Sequence, residues 1–170
     1  SAAGVLPRLL DMEVEPFLIA STVNTVIGQR LVRRITNQKE EYESTKIETE
    51  AIHATLKDIL PKSKTEAAKV EERTGHKDLP LITDTAYTLW KGADSRATPG
   101  GYKGRMGLYE VIDVNEEIEE LIINRATSGE IQKKAKEQGT ITMREDGYLK
   151  ALAGMTTLEE VNRVAAIDSA

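Results

Sequence analysis

The spacing of apolar residues changes along this chain, and that change restricts it to a fold mixing helices with strands. Val5, Leu6, Leu9 and Leu10 recur at i, i+3 and i+4, the stripe of a helix within residues 1–12. Pro7 is compatible with such a helix only in its first turn. A second short helix starts at Pro16, with Glu13 and Glu15 near its positive end. From Val23 the apolar residues become mostly β-branched, which predicts a strand over 25–35. Leu31, Arg33 and Ile35 would share one face of it, and Arg30, Val32 and Arg34 the other. The polar stretch 36–46 marks a boundary. Ile52, Leu56, Ile59 and Leu60 then return to helical spacing, up to Pro61.

Residues 61–80 are charged and poor in apolar side chains, and 65–73 reads either as a short helix or as a mobile loop. Leu81, Thr83, Thr85, Tyr87 and Leu89 alternate, which predicts a strand over 81–90. A Gly/Pro-rich turn covers Gly92, Pro99-Gly100-Gly101, Gly104 and Gly107, and 106–112 reads as a further strand. The remainder is helical. Asp113-x-x-Glu116, Thr127-x-x-Glu130 and Thr157-x-x-Glu160 have the form of N-terminal caps with a reciprocal acid. Ile118, Leu121 and Ile122 supply one stripe, and Ile131 and Ala135 the next, which stops near Gly139. Residues 143–153 form a third helix ended by Gly154, with Leu149 and Leu152 buried. Leu158 and Val161 face inward in the fourth. The fold class is therefore α/β, mostly helical, with a small helical subdomain packed on the sheet.

Composition narrows the chemistry. The chain has 170 residues, one Trp, one Phe and five Tyr, so its core is aliphatic. It has no cysteine, which excludes a disulfide scaffold, a thiolate metal site and a cysteine nucleophile. His53 and His76 are its only histidines, too few for a histidine-rich metal site. A net charge of −5 argues against a general nucleic-acid binder. The local exception is the cationic run Arg30, Arg33, Arg34 and Lys39, either a solvated edge or an interface to phosphate or an acidic partner. No apolar run reaches the ~18 residues of a membrane span, and a basic n-region is missing at Ser1-Ala2-Ala3-Gly4, so the expected location is cytoplasmic.

A phosphate-cradling GxxxxGK[ST] loop is missing, as are HExxH and G-x-S-x-G motifs. Gly100-Gly101-x-x-Gly104 reads as a turn. Glu116-Glu117 and Glu119-Glu120 read as the solvated face of a helix. No catalytic residue is assigned. An apolar helix that opens a chain normally packs on something, so the sequence is expected to be cut from a longer one.

Three segments carry a resemblance. The first runs from Arg8-Leu9-Leu10-Asp11-Met12-x-Val14-Glu15-Pro16-Phe17-Leu18-Ile19-Ala20-Ser21 to Gln29-Arg30-Leu31-Val32-Arg33-Arg34. The second is Gly101-Tyr102-Lys103-Gly104-Arg105-x-Gly107-x-Tyr109-Glu110-Val111. The third is Arg144-Glu145-Asp146-Gly147, then Gly154-x-Thr156-Thr157-x-Glu159-Glu160-Val161-x-Arg163-Val164. In this order they resemble the C-terminal part of the type II secretion and type IV pilus assembly ATPases, the general secretory pathway protein E / pilus extension ATPase family.

The resemblance implies a RecA-like hexameric motor that couples ATP hydrolysis to pilin or pseudopilin assembly. Residues 1–36 would be the C-terminal piece of the motor core, 37–100 a variable segment, and 101–170 a strand plus the helical subdomain. The family's Walker A loop, Walker B glutamate and histidine box would precede residue 1, so ATP and Mg²⁺ are cofactors of the full-length parent and none is expected on this chain alone. The implied partners are further copies of the chain, as a hexamer, and an inner-membrane platform protein, with no nucleic acid. The implied location is cytoplasmic, peripheral to the inner membrane. Gln29, Arg30, Arg33, Arg34 and Arg105 are the candidates for meeting nucleotide or a neighbouring subunit. The competing reading is an independent, non-catalytic interaction or adaptor module.

The family pattern also includes two CxxC pairs that hold zinc. They would fall at about Thr36 and Lys39, and at about Asp94 and Ala97. None of the four is cysteine, so that loop is either replaced by the longer 40–90 segment, within the variable 37–100 stretch, or packed without metal, and no bound zinc is expected.

Overall fold

A computed structural model describes residues 1–165. Among them, helices α1 (Val5–Asp11), α2 (Pro16–Thr22), α3 (Lys46–Leu56), α4 (Lys64–Thr74), α5 (Glu116–Ile123), α6 (Ser128–Glu137), α7 (Met143–Leu152) and α8 (Leu158–Val164) accompany four strands. These are β1 (Thr25–Ile35), β2 (Lys39–Glu43), β3 (Thr88–Gly92) and β4 (Tyr102–Asp113). Two small sheets result, one pairing β1 with β4 and one pairing β2 with β3. The fold is a mixed α/β one, as the spacing predicts. No helix among the described residues is long and apolar enough to cross a membrane.

The chain divides into two compact units. Residues 1–29 and 109–143 form the first, and residues 30–108 and 144–165 belong to the second. Helices α5 and α6 belong to the first unit and α8 to the second.

The core of the first unit is aliphatic: Leu6, Ile19, Val26, Ile112, Ile118, Ile122 and Ile131 are all nearly inaccessible to solvent. Pro16 occupies the first turn of α2, and the Glu15 carboxylate accepts from Leu18 N–H at 3.1 Å. Thr127 and Glu130 complete a reciprocal capping box on α6. Helix α5 corrects one expectation. Its cap is Asn115, whose Oδ1 accepts from Ile118 N–H at 3.1 Å, while Asp113 is still the last residue of β4. Buried between Leu108 and Ile112 on the inward face of β4 is the Glu110 carboxylate. It accepts from Ala2 N–H at 2.9 Å and from Met143 N–H at 3.2 Å, so its burial is compensated.

In the second unit β2 runs antiparallel to β3, with Glu41 opposite Trp90 and Lys39 opposite Gly92. Strand β2 lies inside the polar stretch read as a boundary; all five of its side chains are exposed, so no apolar alternation marks it. The strand expected over 81–90 shrinks to Thr88–Gly92. Residues 83–87 instead close a turn around Tyr87, whose hydroxyl accepts from Thr83 N–H at 2.9 Å and donates to Thr83 O at 3.1 Å. Strand β4 begins at Tyr102 rather than 106, because Pro99–Gly101 forms a 3₁₀ turn that ends the preceding loop.

Helix α3 is opened by a Thr45/Glu48 capping box and buries Thr49, Ile52 and Leu56; Ile59 and Leu60 pack beyond its end. The open question at 65–73 resolves as helix α4, closed by Gly75 in the left-handed conformation at φ 72°. None of its residues is buried. At Gly147, on α7, a Cβ would clash with Val161 of α8, which makes this glycine the point of closest helix approach.

Each two-stranded ribbon leaves outer edges without a ladder partner among the described residues, and Ile27, Leu31, Tyr109 and Val111 of the first ribbon are exposed. The isolated chain is expected to self-associate as its concentration rises. Analytical ultracentrifugation checks this; a strictly monomeric species at high concentration would contradict it.

Candidate functional site

The candidate arginines begin on β1, where strand alternation sends neighbouring side chains to opposite faces. Arg33 reaches the Glu160 carboxylate on α8. Its Nη2 is 2.6 Å and its Nε 3.0 Å from Glu160 Oε1, and its backbone N–H donates to Oε2 at 2.8 Å. From the other side Arg163 contributes Nη2 at 2.9 Å from Oε2 and Nε at 3.2 Å from Oε1. The Arg33 guanidinium lies 4.2 Å above the Tyr102 ring, and the Tyr102 hydroxyl bonds that of Thr157 at 2.8 Å.

Glu160 is 1% exposed, whereas the arginine side chains are 49% and 55% exposed. Burial alone would push the carboxyl pKa up. The hydrogen bonds from Arg163 and Arg33 outweigh it and hold the group down at about 2. The same contacts raise both guanidinium pKa values. The Thr157-x-x-Glu160 pattern is thus only half a cap. Thr157 Oγ1 accepts from Glu160 N–H at 3.2 Å, but the carboxylate goes to the arginines.

The other candidates are placed differently. Arg30, Arg34 and Arg105 are exposed, and among the described residues no ion pair to them is seen. Arg34 shares with Lys103 the lining of a cleft of about 420 Å³. Gln29 lies in the first unit, where its Nε2 is 3.4 Å from the Tyr109 hydroxyl. The structure therefore joins Arg33 to Glu160 and Arg163 and leaves Arg30, Arg34 and Arg105 with unspent donors.

Sequence reasoning missed Glu160 and Arg163 as partners of Arg33, although both stand in the third resembling segment. It also missed a second cluster in the same unit. His76 Nε2 is 2.9 Å from Asp146 Oδ1, while Lys150 Nζ is 2.6 Å from Asp146 Oδ2 and 2.8 Å from Gly107 O. This cluster fastens the segment after α4 to α7. No group of three or more His, Cys, Asp or Glu among the described residues is arranged to hold a metal.

The model of the family described as type II/IV secretion system protein matches residues 1–163. The chain belongs to that family. It is 36% identical over 164 residues to the type II secretion system protein E of Xanthomonas campestris pv. campestris, covering 96% of this chain and 25% of that protein. It is 33% identical over 165 residues to the type IV pilus assembly ATPase PilB of Pseudomonas aeruginosa, with 96% and 25% covered. With the Thermus thermophilus PilB the identity is 35% over 162 residues, covering 94% of this chain and 15% of the relative. The chain thus spans a quarter or less of the length of these relatives.

Glu160→Gln is expected to cost about 1.5–3 kcal/mol of folding stability, the range for hydrogen bonds to a charged group. The folded pKa lies below the ordinary value of about 4.3, so the stabilisation is complete above that pH and is lost as pH falls toward 2. Denaturant unfolding across this window should show the wild type losing its advantage over the variant. A constant difference would contradict the clamp.

Proposed function

We propose that this chain is the C-terminal part of a hexameric motor ATPase that drives pilin or pseudopilin assembly. In this reading residues 1–36 complete a RecA-like core, 37–100 form a variable segment, and 101–170 add a strand and helices. ATP and Mg²⁺ act on the upstream part of the parent, which works on the cytoplasmic face of the inner membrane against a platform protein, without nucleic acid. The observation that carries the reading is the family match across residues 1–163 of a chain whose sequence contains no phosphate-binding loop. Within the motor this chain contributes packing and subunit-contact surface.

The arginines divide that work. Arg33 is engaged by Glu160 and serves the fold. Arg30, Arg34 and Arg105 keep planar, permanently charged donors free for carboxylate or phosphate on a neighbouring subunit. Gln29 is tied to Tyr109 and positions the strand.

Two measurements test the proposal. The chain alone should not turn over ATP, and sustained turnover would place an active site within it. In the full-length parent, R30A, R34A and R105A should each weaken hexamer assembly about fivefold, the equivalent of ~1 kcal/mol per charge pair. ATPase activity should fall in step, with the fold intact by circular dichroism. Unchanged assembly in all three variants would favour the interaction-module reading.

A further inference from the structure

The two stretches that the resemblance aligns with the family's zinc ligands, 36–39 and 94–97, lie in segments that bond each other. Thr36 N–H donates to Gly101 O at 2.9 Å, and Ala93 N–H donates to Gln38 O at 2.7 Å. Lys39 stands opposite Gly92 in the β2–β3 ladder. The stretch 36–39 is thereby laced to 92–101.

Their chemistry does not suit a metal. Lys39 carries an ammonium group that donates to Gly154 O at 2.7 Å and lies 5.9 Å from the Trp90 ring. Ala97 has no donor atom. Thr36 offers only a buried hydroxyl side chain. Asp94 alone has a carboxylate, and its Oδ1 already accepts from Gly100 N–H at 2.8 Å. Zinc takes four thiolate, imidazole or carboxylate ligands, and one carboxylate is far short of that set. The adjoining cleft also has the wrong sign for a dication. Its charged lining residues are Arg34 and Lys103, with no acid or histidine among the side chains around it.

Other bonds occupy the place of a metal clip. The Ser95 and Thr98 hydroxyls meet at 2.7 Å. Thr98 Oγ1 lies 2.8 Å from Ala93 O, and Thr98 N–H donates to Ser95 Oγ at 3.0 Å. The backbones of Gly92 and Gly101 touch so closely that a Cβ on either would run into the carbonyl of the other. Gly101 also has φ 86°, a conformation that disfavours any side chain.

We infer that this chain has replaced a metal clip with a metal-free one. The Ser95–Thr98 hydroxyl pair and the Gly92–Gly101 contact close 92–101 on itself, the main-chain bonds of Thr36 and Ala93 and the β2–β3 ladder hold 36–39 against it, and the region folds without any ion. The inference stands on donor chemistry and geometry, independently of the motor reading.

Metal analysis and thermal unfolding of the chain, exposed to zinc and then passed through EDTA, provide the test. No stoichiometric metal should be retained, and Tm should be the same with and without EDTA. Thr98→Val keeps the side-chain shape but removes the hydroxyl, and should lower Tm by about 2–6 °C in either condition. One transition metal per chain, an EDTA-dependent fall in Tm, or an unchanged Tm in T98V would overturn the inference.

Discussion

A carboxylate that is almost wholly excluded from water must be compensated, and Glu160 is compensated from two directions. Arg33 approaches from β1 with both its side chain and its backbone N–H, and Arg163 approaches from one turn further along α8. The bond to a backbone N–H matters most for the fold, because it fixes where the strand lies against the helix rather than merely attracting a flexible side chain. Thr156 Oγ1, donating to Arg33 O at 2.8 Å, and Ile35 N–H, donating to Met155 O at 2.9 Å, extend the seam on either side. The end of β1 is therefore attached to the 155–160 segment by main-chain and side-chain bonds together.

That attachment divides the arginines of β1. A strand carrying Arg30, Arg33 and Arg34 offers three guanidinium groups in five residues. One of them, Arg33, is consumed in holding the strand to α8, and the other two are exposed. Arginine suits that duty because its rigid, permanently charged fork matches a carboxylate. Kinship with secretion and pilus ATPases covers nearly all of this chain but a quarter or less of the relatives.

Much of the fold could be read from local signals. Pro16 at the head of α2, the Thr127/Glu130 box on α6 and the aliphatic stripes of α5 and α6 act within a few residues, where sequence patterns are informative. Strand β2 was not legible, since its five exposed polar residues are strand only because their main chain pairs with β3. The 81–90 alternation misled because Thr83 and Tyr87 bond each other across a turn instead of lining one face of a strand. The Arg33–Glu160 pair spans 127 residues, and the cap-like spacing at Thr157 disguised its acid. Long-range charge pairs leave no periodic trace, so the arginines could be nominated from sequence but not divided between fold and surface.

Tyr87, Ser44 and Thr49 show the same economy of hydroxyl bonding elsewhere in the second unit. Ser44 Oγ meets Thr49 Oγ1 at 2.6 Å and accepts from Tyr87 N–H at 2.9 Å. These contacts serve the loops, whereas the Glu160 clamp serves the framework on which the free arginines stand. Its state of ionisation is therefore the quantity to measure. A carbon-detected NMR titration of the Glu160 carboxyl should give a midpoint near 2. A midpoint in the ordinary range of about 4.3 would mean that the two arginines do not hold the carboxylate, and the account would fail at its base.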